Sequence, residues 1–148
     1  MSSYRQVFYQ IVFSTKFREP TLNEEHEQQL YKYIWGLLKR KHCKLYRINS
    51  MPDHVHIFCD LHPCVCLANL VKDIKVASHL WMKETGLFPH FSEWQTGYAA
   101  FTYSVREKDM IINYIKKQKQ HHQREASTAE MRRLLEENKV SFDEKYLL

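Results

Sequence analysis

Two histidines one residue apart, His54 and His56, interrupt the apolar run 51–58. Alternate residues of a β-strand point to the same face, and a residue advances the strand by roughly 3.3 Å, so the pair spans about 7 Å. Two imidazoles projecting together over that distance could bind one divalent metal ion. The same pair could also be two half-exposed strand histidines, so the pattern alone leaves both interpretations open.

A tyrosine and a glutamine lie on a helix that is predicted further along the chain. Ser104 followed three residues later by Glu107 has the spacing of a capping box, which predicts that a helix begins there. Tyr114 and Gln118 are one helical turn apart and should share a face. The rest of that face is predicted to be apolar: Met110, Ile111 and Ile115. A buried glutamine amide needs partners, and a metal ion could be one, whereas core packing alone would explain a tyrosine.

Several separated segments resemble the single-tyrosine HUH transposases, which are the small transposases of single-strand insertion sequences and their REP-associated relatives. The matching segments read YQIVFSTKFR, MPDHVH, WQTGYAAF, YIKKQKQHH and SFDEKYL, at 9–18, 51–56, 94–101, 114–122 and 141–147. They occur in the family's order and extend over nearly the whole chain. Several motifs in the right order are far more specific than any one of them.

The resemblance implies an enzyme that nicks and rejoins single-stranded DNA. It assigns His54, His56 and Gln118 as ligands of Mg²⁺ or Mn²⁺, and Tyr114 as the nucleophile. The implied reaction leaves a free 3′-hydroxyl and a 5′-phosphotyrosine intermediate, and needs no nucleotide cofactor. The resemblance also implies a homodimer that binds DNA hairpins at the ends of its element.

Basic residues in two places are candidates for contacts with DNA phosphates, although a solvated basic face is the alternative. They follow the first strand and lie on the second predicted helix: Lys16, Arg18, Lys72 and Lys75. The chain has Ala99 and Val76 where the family commonly has glycine, which bears on DNA recognition rather than on catalysis. His121 and His122 are interpreted as polar residues at a helix end rather than as ligands.

The composition is that of a basic, aromatic-rich domain. Lysine and arginine number 22 against 17 acidic residues, which gives a net charge of +5, and 14% of residues are aromatic. This balance suits single-stranded nucleic acid but is also common in other soluble enzymes. Only three glycines and four prolines occur, so we expect one domain over residues 1–148, without long linkers.

Neither an apolar run long enough to span a membrane nor a signal-peptide core occurs, so we expect a cytoplasmic protein with no membrane partner. The cysteines should therefore stay reduced. Cys64 and Cys66 lie near His62 but lack a second ligand pair, so zinc is not expected.

The predicted order of elements is β-α-β-β-α-β with an added C-terminal helix carrying Tyr114. This is an α+β, ferredoxin-like or RRM-like antiparallel sheet, whose first and third strands are central. His54 and His56 would then lie in the middle of the sheet. Predicted strands cover 4–14, 43–50, 54–61 and 97–104. Predicted helices cover 21–42 (opened by a capping box from Thr21 to Glu24), 67–85, 104–118 and 126–138, before an extended tail at 139–148.

Two other functions fit parts of the pattern. A ferredoxin-like sheet could be a nucleic-acid-binding module without cleavage activity, and a small metal-binding or structural protein would have no affinity for DNA. The four residues His54, His56, Tyr114 and Gln118 favour the transposase, because a module that only binds has no need for all of them.

Overall fold

A four-stranded antiparallel sheet forms the centre of the computed structural model, which describes residues 4–121 and 125–147. The strands are β1 (Phe8–Ser14), β2 (Leu45–Met51), β3 (His54–Asp60) and β4 (Ala99–Tyr103), in the spatial order β2-β3-β1-β4. The ferredoxin-like order and the central position of the first and third strands are confirmed. In the register of β1 and β3, Val12 lies opposite His56.

One face of the sheet is covered by the helices α1 (Glu27–Arg40) and α2 (Leu67–Thr85). Alternate residues of β3 (Val55, Ile57, Cys59) point into this core because strand side chains alternate between faces. The helices contribute mainly leucine and isoleucine: Leu30, Ile34, Leu38, Leu70 and Ile74. This layer therefore turns His54, His56 and Phe58 toward the opposite face.

The opposite face is covered by the C-terminal helices, which are α3 (Lys108–Lys116), the short α4 (Gln118–His121) and α5 (Ser127–Glu137). Two apolar clusters attach them to the sheet. The first consists of Phe8, Phe58, Ile111 and Ile115; the second consists of Phe101, Leu134, Leu135 and Leu147. Since both faces are covered, the two central strands are buried on both sides, and the face under the C-terminal helices includes the polar side chains of Gln10, His54 and His56.

The predicted capping box at Thr21 is wrong, because α1 begins only at Glu27. The amides of Thr21 and Leu22 both donate to the carbonyl of Pro52, at 2.9 Å each, which ties this segment to the turn between β2 and β3. The Asn23 side chain then accepts from the amide of His26 just before the helix. A contact with a distant turn thus overrides the local capping signal.

The capping box formed by Ser104 and Glu107 is confirmed, and it opens a 3-10 turn that leads into α3. The predicted helix is interrupted, however, because α3 ends at Lys116 and Gln118 starts α4. Met110 is 61% exposed, so its assignment to the apolar stripe is wrong. Because Ile111 and Ile115 pack against the sheet, Met110 lies on the side of α3 that faces solvent.

The predicted and observed boundaries of the elements also differ at the two ends of the chain. Residues 4–7 lie outside β1, and the predicted extended tail contains a 3-10 turn at Glu144–Tyr146. The end of α2 is as predicted, since Gly86 follows it with a φ of 69°. No helix in the described part of the chain is long and apolar enough to cross a membrane.

Candidate functional site

His54 and His56 lie side by side on the face of β3 that α5 covers. Their ring centroids are 5.0 Å apart, and both side chains are buried. Both Nε2 atoms point to one oxygen of Glu130 on α5: Oε1 lies 3.2 Å from His54 and 3.1 Å from His56. The sheet and the last helix together therefore enclose the pair.

The other nitrogen of His54 is held by a carboxylate. His54 Nδ1 lies 2.7 Å from Asp53 Oδ1, which also accepts from the hydroxyl of Ser127 at 3.0 Å. Burial alone would lower the pKa of His54, but Asp53 and Glu130 outweigh it and raise that pKa. A proton kept on Nδ1 by a carboxylate leaves Nε2 as the ligating nitrogen, which is the usual arrangement of metal-binding histidines.

His56 Nδ1 contacts an amide instead. It lies 3.0 Å from Gln10 Nε2, and Gln10 Oε1 accepts from the hydroxyl of Tyr103 at 3.0 Å. In this orientation the amide donates to Nδ1, so the ring proton is on Nε2 and is directed to Glu130. Metal binding through Nε2 would need the opposite orientation of the Gln10 amide, with its oxygen accepting from Nδ1.

Tyr114 projects from α3 into the same site, with its ring centroid 6.2 Å from that of His56. Its hydroxyl donates to Glu130 Oε2 and accepts from Arg133 Nη2 at 2.7 Å. Burial raises the pKa of Tyr114, the negative charge of Glu130 raises it further, and Arg133 opposes both. The phenol therefore keeps its proton in this arrangement.

Gln118 is fully buried at the start of α4 and completes the group. Its Nε2 donates to Glu130 Oε2 at 2.6 Å, while its Oε1 has no hydrogen-bond partner among the described residues. A buried acceptor without a partner costs about 1–3 kcal/mol, and a metal ion would satisfy it. Ligand atoms of His54, His56 and Glu130 also lie within 4.8 Å of one another. These nitrogen and oxygen donors fit a divalent ion.

Two residues of α5 that reach the tyrosine are not among those predicted from the sequence. The segment 126–138 is predicted only as a charged helix, whereas Glu130 is 2% exposed and Arg133 donates to Glu125 at 2.9 and 3.0 Å. A signal was present, because Glu130 precedes Leu134 by four residues and so shares the apolar face of the helix.

The two basic residues after β1 lie in different surroundings. Lys16 forms an exposed ion pair with Glu93 at 2.5 Å. Arg18 is half-buried, donates to the carbonyl of Leu147 at 3.1 Å, and lies close enough to Asp53 and Glu130 to interact electrostatically with them. Of the two, Arg18 is nearer to the histidines; contacts with phosphate stay a prediction for both.

The two lysines of α2 lie on the other side of the sheet from the histidines. Lys75 donates to the carbonyls of Gln95 and Gly97 at 2.8 and 2.5 Å, so its ammonium ties down the loop before β4. Lys72 is exposed and lines a surface groove with Tyr98. Their role as phosphate contacts also stays a prediction. His122 and the side chain of His121, interpreted as helix-end residues, lie outside what the structure describes.

Comparison with known proteins agrees with this geometry. Residues 3–118 match the family model described as "Transposase IS200 like". The ISDra2 transposase TnpA of Deinococcus radiodurans is 25% identical over 120 residues, which cover 76% of this chain and 84% of that protein.

Two solved structures share the fold. A crystal structure of a candidate transposase from Deinococcus radiodurans R1 superposes with a TM-score of 0.63 at 25% identity, and covers 80% of this chain and 95% of the other. A REP-associated tyrosine transposase bound to a REP hairpin has a TM-score of 0.61 at 17% identity, and the match covers 82% and 74% of the two chains. The match to the family model spans well over half of the sequence, so the chain belongs to the IS200-like transposases, enzymes that act as DNA endonucleases and strand transferases.

Proposed function

We propose that this transposase cuts single-stranded DNA with Tyr114 as the nucleophile. His54, His56 and Gln118 bind the Mg²⁺ or Mn²⁺ ion that the proposed reaction requires. One observation carries the proposal: side chains from three separate elements all contact the buried carboxylate of Glu130. Burying several polar groups around one point is costly unless they satisfy one another or a ligand. A module that only binds DNA gains nothing from such a cluster.

The proposed reaction conserves the energy of the cleaved bond. Tyr114 Oη forms a bond to phosphorus while the bond from phosphorus to the 3′-oxygen breaks; the phenol loses a proton and the departing oxygen gains one. Attack by another 3′-hydroxyl reverses these changes and rejoins DNA without a nucleotide cofactor. When bound, the ion would neutralise charge on the phosphate.

We further propose that the substrate contains hairpins at the ends of the element and that the protein acts as a cytoplasmic homodimer. Support for a hairpin comes from a neighbour in fold that binds a REP hairpin, and from the net charge of +5. The candidate phosphate contacts remain those of the sequence: Lys16, Arg18, Lys72 and Lys75. Arg18 would contact DNA near the histidines, and Lys72 and Lys75 on the far side of the sheet.

A covalent-transfer assay tests the proposal. Single strands labelled at the 5′ or 3′ end, taken from the DNA that flanks the gene, are incubated with protein and Mn²⁺ or Mg²⁺ and separated on a denaturing gel. We expect a metal-dependent adduct that Tyr114→Phe and His56→Ala abolish. Tyr33→Phe, a change at a partly exposed tyrosine of α1 on the other face of the sheet, should leave it intact. Binding without an adduct, on strands containing both element ends, would instead support a binding module.

A further inference from the structure

The carboxylate at the centre of the site comes from a part of the chain that the family model does not cover. That match ends at residue 118, whereas Glu130 belongs to α5. Glu130 is 2% exposed and joins both histidines, the glutamine and the tyrosine. Burying a carboxylate costs free energy unless several partners compensate its charge, so a function for Glu130 within the site is expected.

The two oxygens of Glu130 face different partners. Oε1 faces the two imidazoles, at 3.2 Å from His54 Nε2 and 3.1 Å from His56 Nε2. Oε2 accepts from Gln118 Nε2 and from the hydroxyl of Tyr114. One oxygen is thus placed among the proposed metal donors, and the other holds the proposed nucleophile.

The spacing around Oε1 matches that of ligands sharing one ion. Two ligand atoms that lie about 2.1 Å from an octahedral ion, at right angles to each other, are roughly 3.0 Å apart. The observed separations of 3.1 and 3.2 Å are close to this value. Once the Gln10 amide has turned over, an ion could therefore take the place between Oε1 and the two imidazoles with little movement of these three groups.

We propose that Glu130 is an additional ligand of the metal ion, through Oε1, and that it positions Tyr114 through Oε2. The inference rests on the proposed function, because it concerns the same metal site and the same nucleophile. It gives α5 a direct part in the site: the last helix supplies a carboxylate to the histidine and glutamine donors of the rest of the chain. A negative ligand also strengthens the attraction for a divalent cation beyond what neutral donors provide.

Calorimetric titration with Mn²⁺ alone tests the metal-binding half without any need for activity. Glu130→Gln keeps the size of the side chain but removes the charge and replaces one of the two acceptor oxygens with an NH2 donor. Loss of an outer partner of a metal ligand already costs about 10–100-fold in affinity, so removal of the charge of a direct ligand should weaken Mn²⁺ binding at least roughly tenfold. Glu136→Gln, on the exposed side of the same helix, is the matched control and should bind as the wild type does.

A carboxylate that competes with the ion, rather than binding it, predicts the opposite change in Mn²⁺ affinity. If the Glu130 carboxylate occupied the ion's place and competed with it, Glu130→Gln would bind Mn²⁺ as well as or more tightly than the wild type, and the proposal would be overturned. Glu130→Asp covers the case in which the first variant does not fold: it should retain Mn²⁺ binding that Glu130→Ala lacks. Equal binding by the Asp and Ala variants would also overturn it.

Single-turnover cleavage of a labelled strand tests the positioning half. Glu130→Gln should slow cleavage at saturating Mn²⁺, while its affinity for a hairpin strand should fall by no more than about twofold. Three of the candidate phosphate contacts lie away from Glu130, and the fourth, Arg18, only loses a nearby negative charge. An unchanged cleavage rate would contradict positioning by Oε2. Failure of the wild type itself to form an adduct would reject the proposed function, while the Mn²⁺ titrations would still report on the ligand.

Discussion

At the scale of single residues, the two imidazoles of the site differ in how their outer nitrogens are held. Asp53 keeps a proton on His54 Nδ1. Burial raises the pKa of Asp53, but the hydrogen bonds and charges of His54, Ser127 and Arg18 outweigh burial and hold that pKa below its usual range. At the corresponding nitrogen of His56, the Gln10 amide lies 3.0 Å away. His54 is therefore already arranged for metal binding, whereas His56 requires the Gln10 amide to turn over.

Asp53→Asn should weaken metal binding, because an amide holds the His54 ring proton less firmly than a carboxylate does. Removal of such an outer partner typically lowers metal affinity by 10–100-fold, so we expect a loss of roughly tenfold or more in Mn²⁺ affinity by calorimetry. Asp73→Asn, which breaks a surface ion pair with Lys41, is the control. Equal Mn²⁺ affinities in both variants would show that Asp53 does not support metal binding by His54.

Gln118→Met tests whether the glutamine oxygen binds the ion. The variant loses the hydrogen bond to Glu130 but also removes a buried acceptor without a partner, so stability without metal should change by no more than about 1–2 kcal/mol. An ion at 100 times its Kd stabilises a protein by about 2.7 kcal/mol. In urea unfolding at that Mn²⁺ concentration, the wild type should gain this amount and the variant at least about 1.4 kcal/mol less. Equal gains would exclude Gln118 as a ligand.

At the scale of elements, the sequence predicts what is encoded locally. Apolar runs in β1 and β3, the box at Ser104 and the glycine after α2 indicate the order of the elements and the strands at the centre of the sheet. The start of α1 could not be predicted, because it depends on hydrogen bonds to the carbonyl of Pro52. Glu130 was missed for a related reason: its partners lie on β3, α3 and α4, and the spacing within α5 indicates burial but no partner.

Ser104→Ala should destabilise the start of the segment that carries the tyrosine. The variant removes the Ser104 hydroxyl, whose oxygen lies 3.3 Å from Glu107 Oε1 in the capping box, and loss of such a cap costs about 0.5–2 kcal/mol. We expect a lower free energy of unfolding in urea, by about 1 kcal/mol, and a smaller yield of covalent adduct. Ser92→Ala, at an exposed loop position, should change neither quantity. Unaltered stability in the first variant would show that packing alone holds α3.

At the scale of the whole molecule, one chain brings together all the side chains of the proposed site. The C-terminal helices return across the sheet, so Tyr114 lies beside His56 of the same chain. That residues 1–148 form a single domain, and that two copies associate, stay predictions. From this arrangement we predict that, in a dimer, neither copy needs the other's tyrosine.

Mixed dimers test whether each copy uses its own tyrosine. His56→Ala and Tyr114→Phe chains, co-expressed with different tags and purified through both, should remain inactive, because each site lacks one component. A matched preparation that pairs wild type with Tyr114→Phe should retain about half of the wild-type yield of adduct, since one site per dimer is complete. Recovery of activity in the doubly mutant dimer would mean that the tyrosine works on the partner's metal site.

The central claim is that Tyr114 becomes covalently attached to DNA, and mass spectrometry of the digested adduct measures it most directly. After reaction with Mn²⁺ and nuclease trimming, we expect the peptide containing Tyr114 to carry a nucleotide linked through its 5′-phosphate. A nucleotide on any other residue, or an adduct of unchanged yield in Tyr114→Phe, would contradict it.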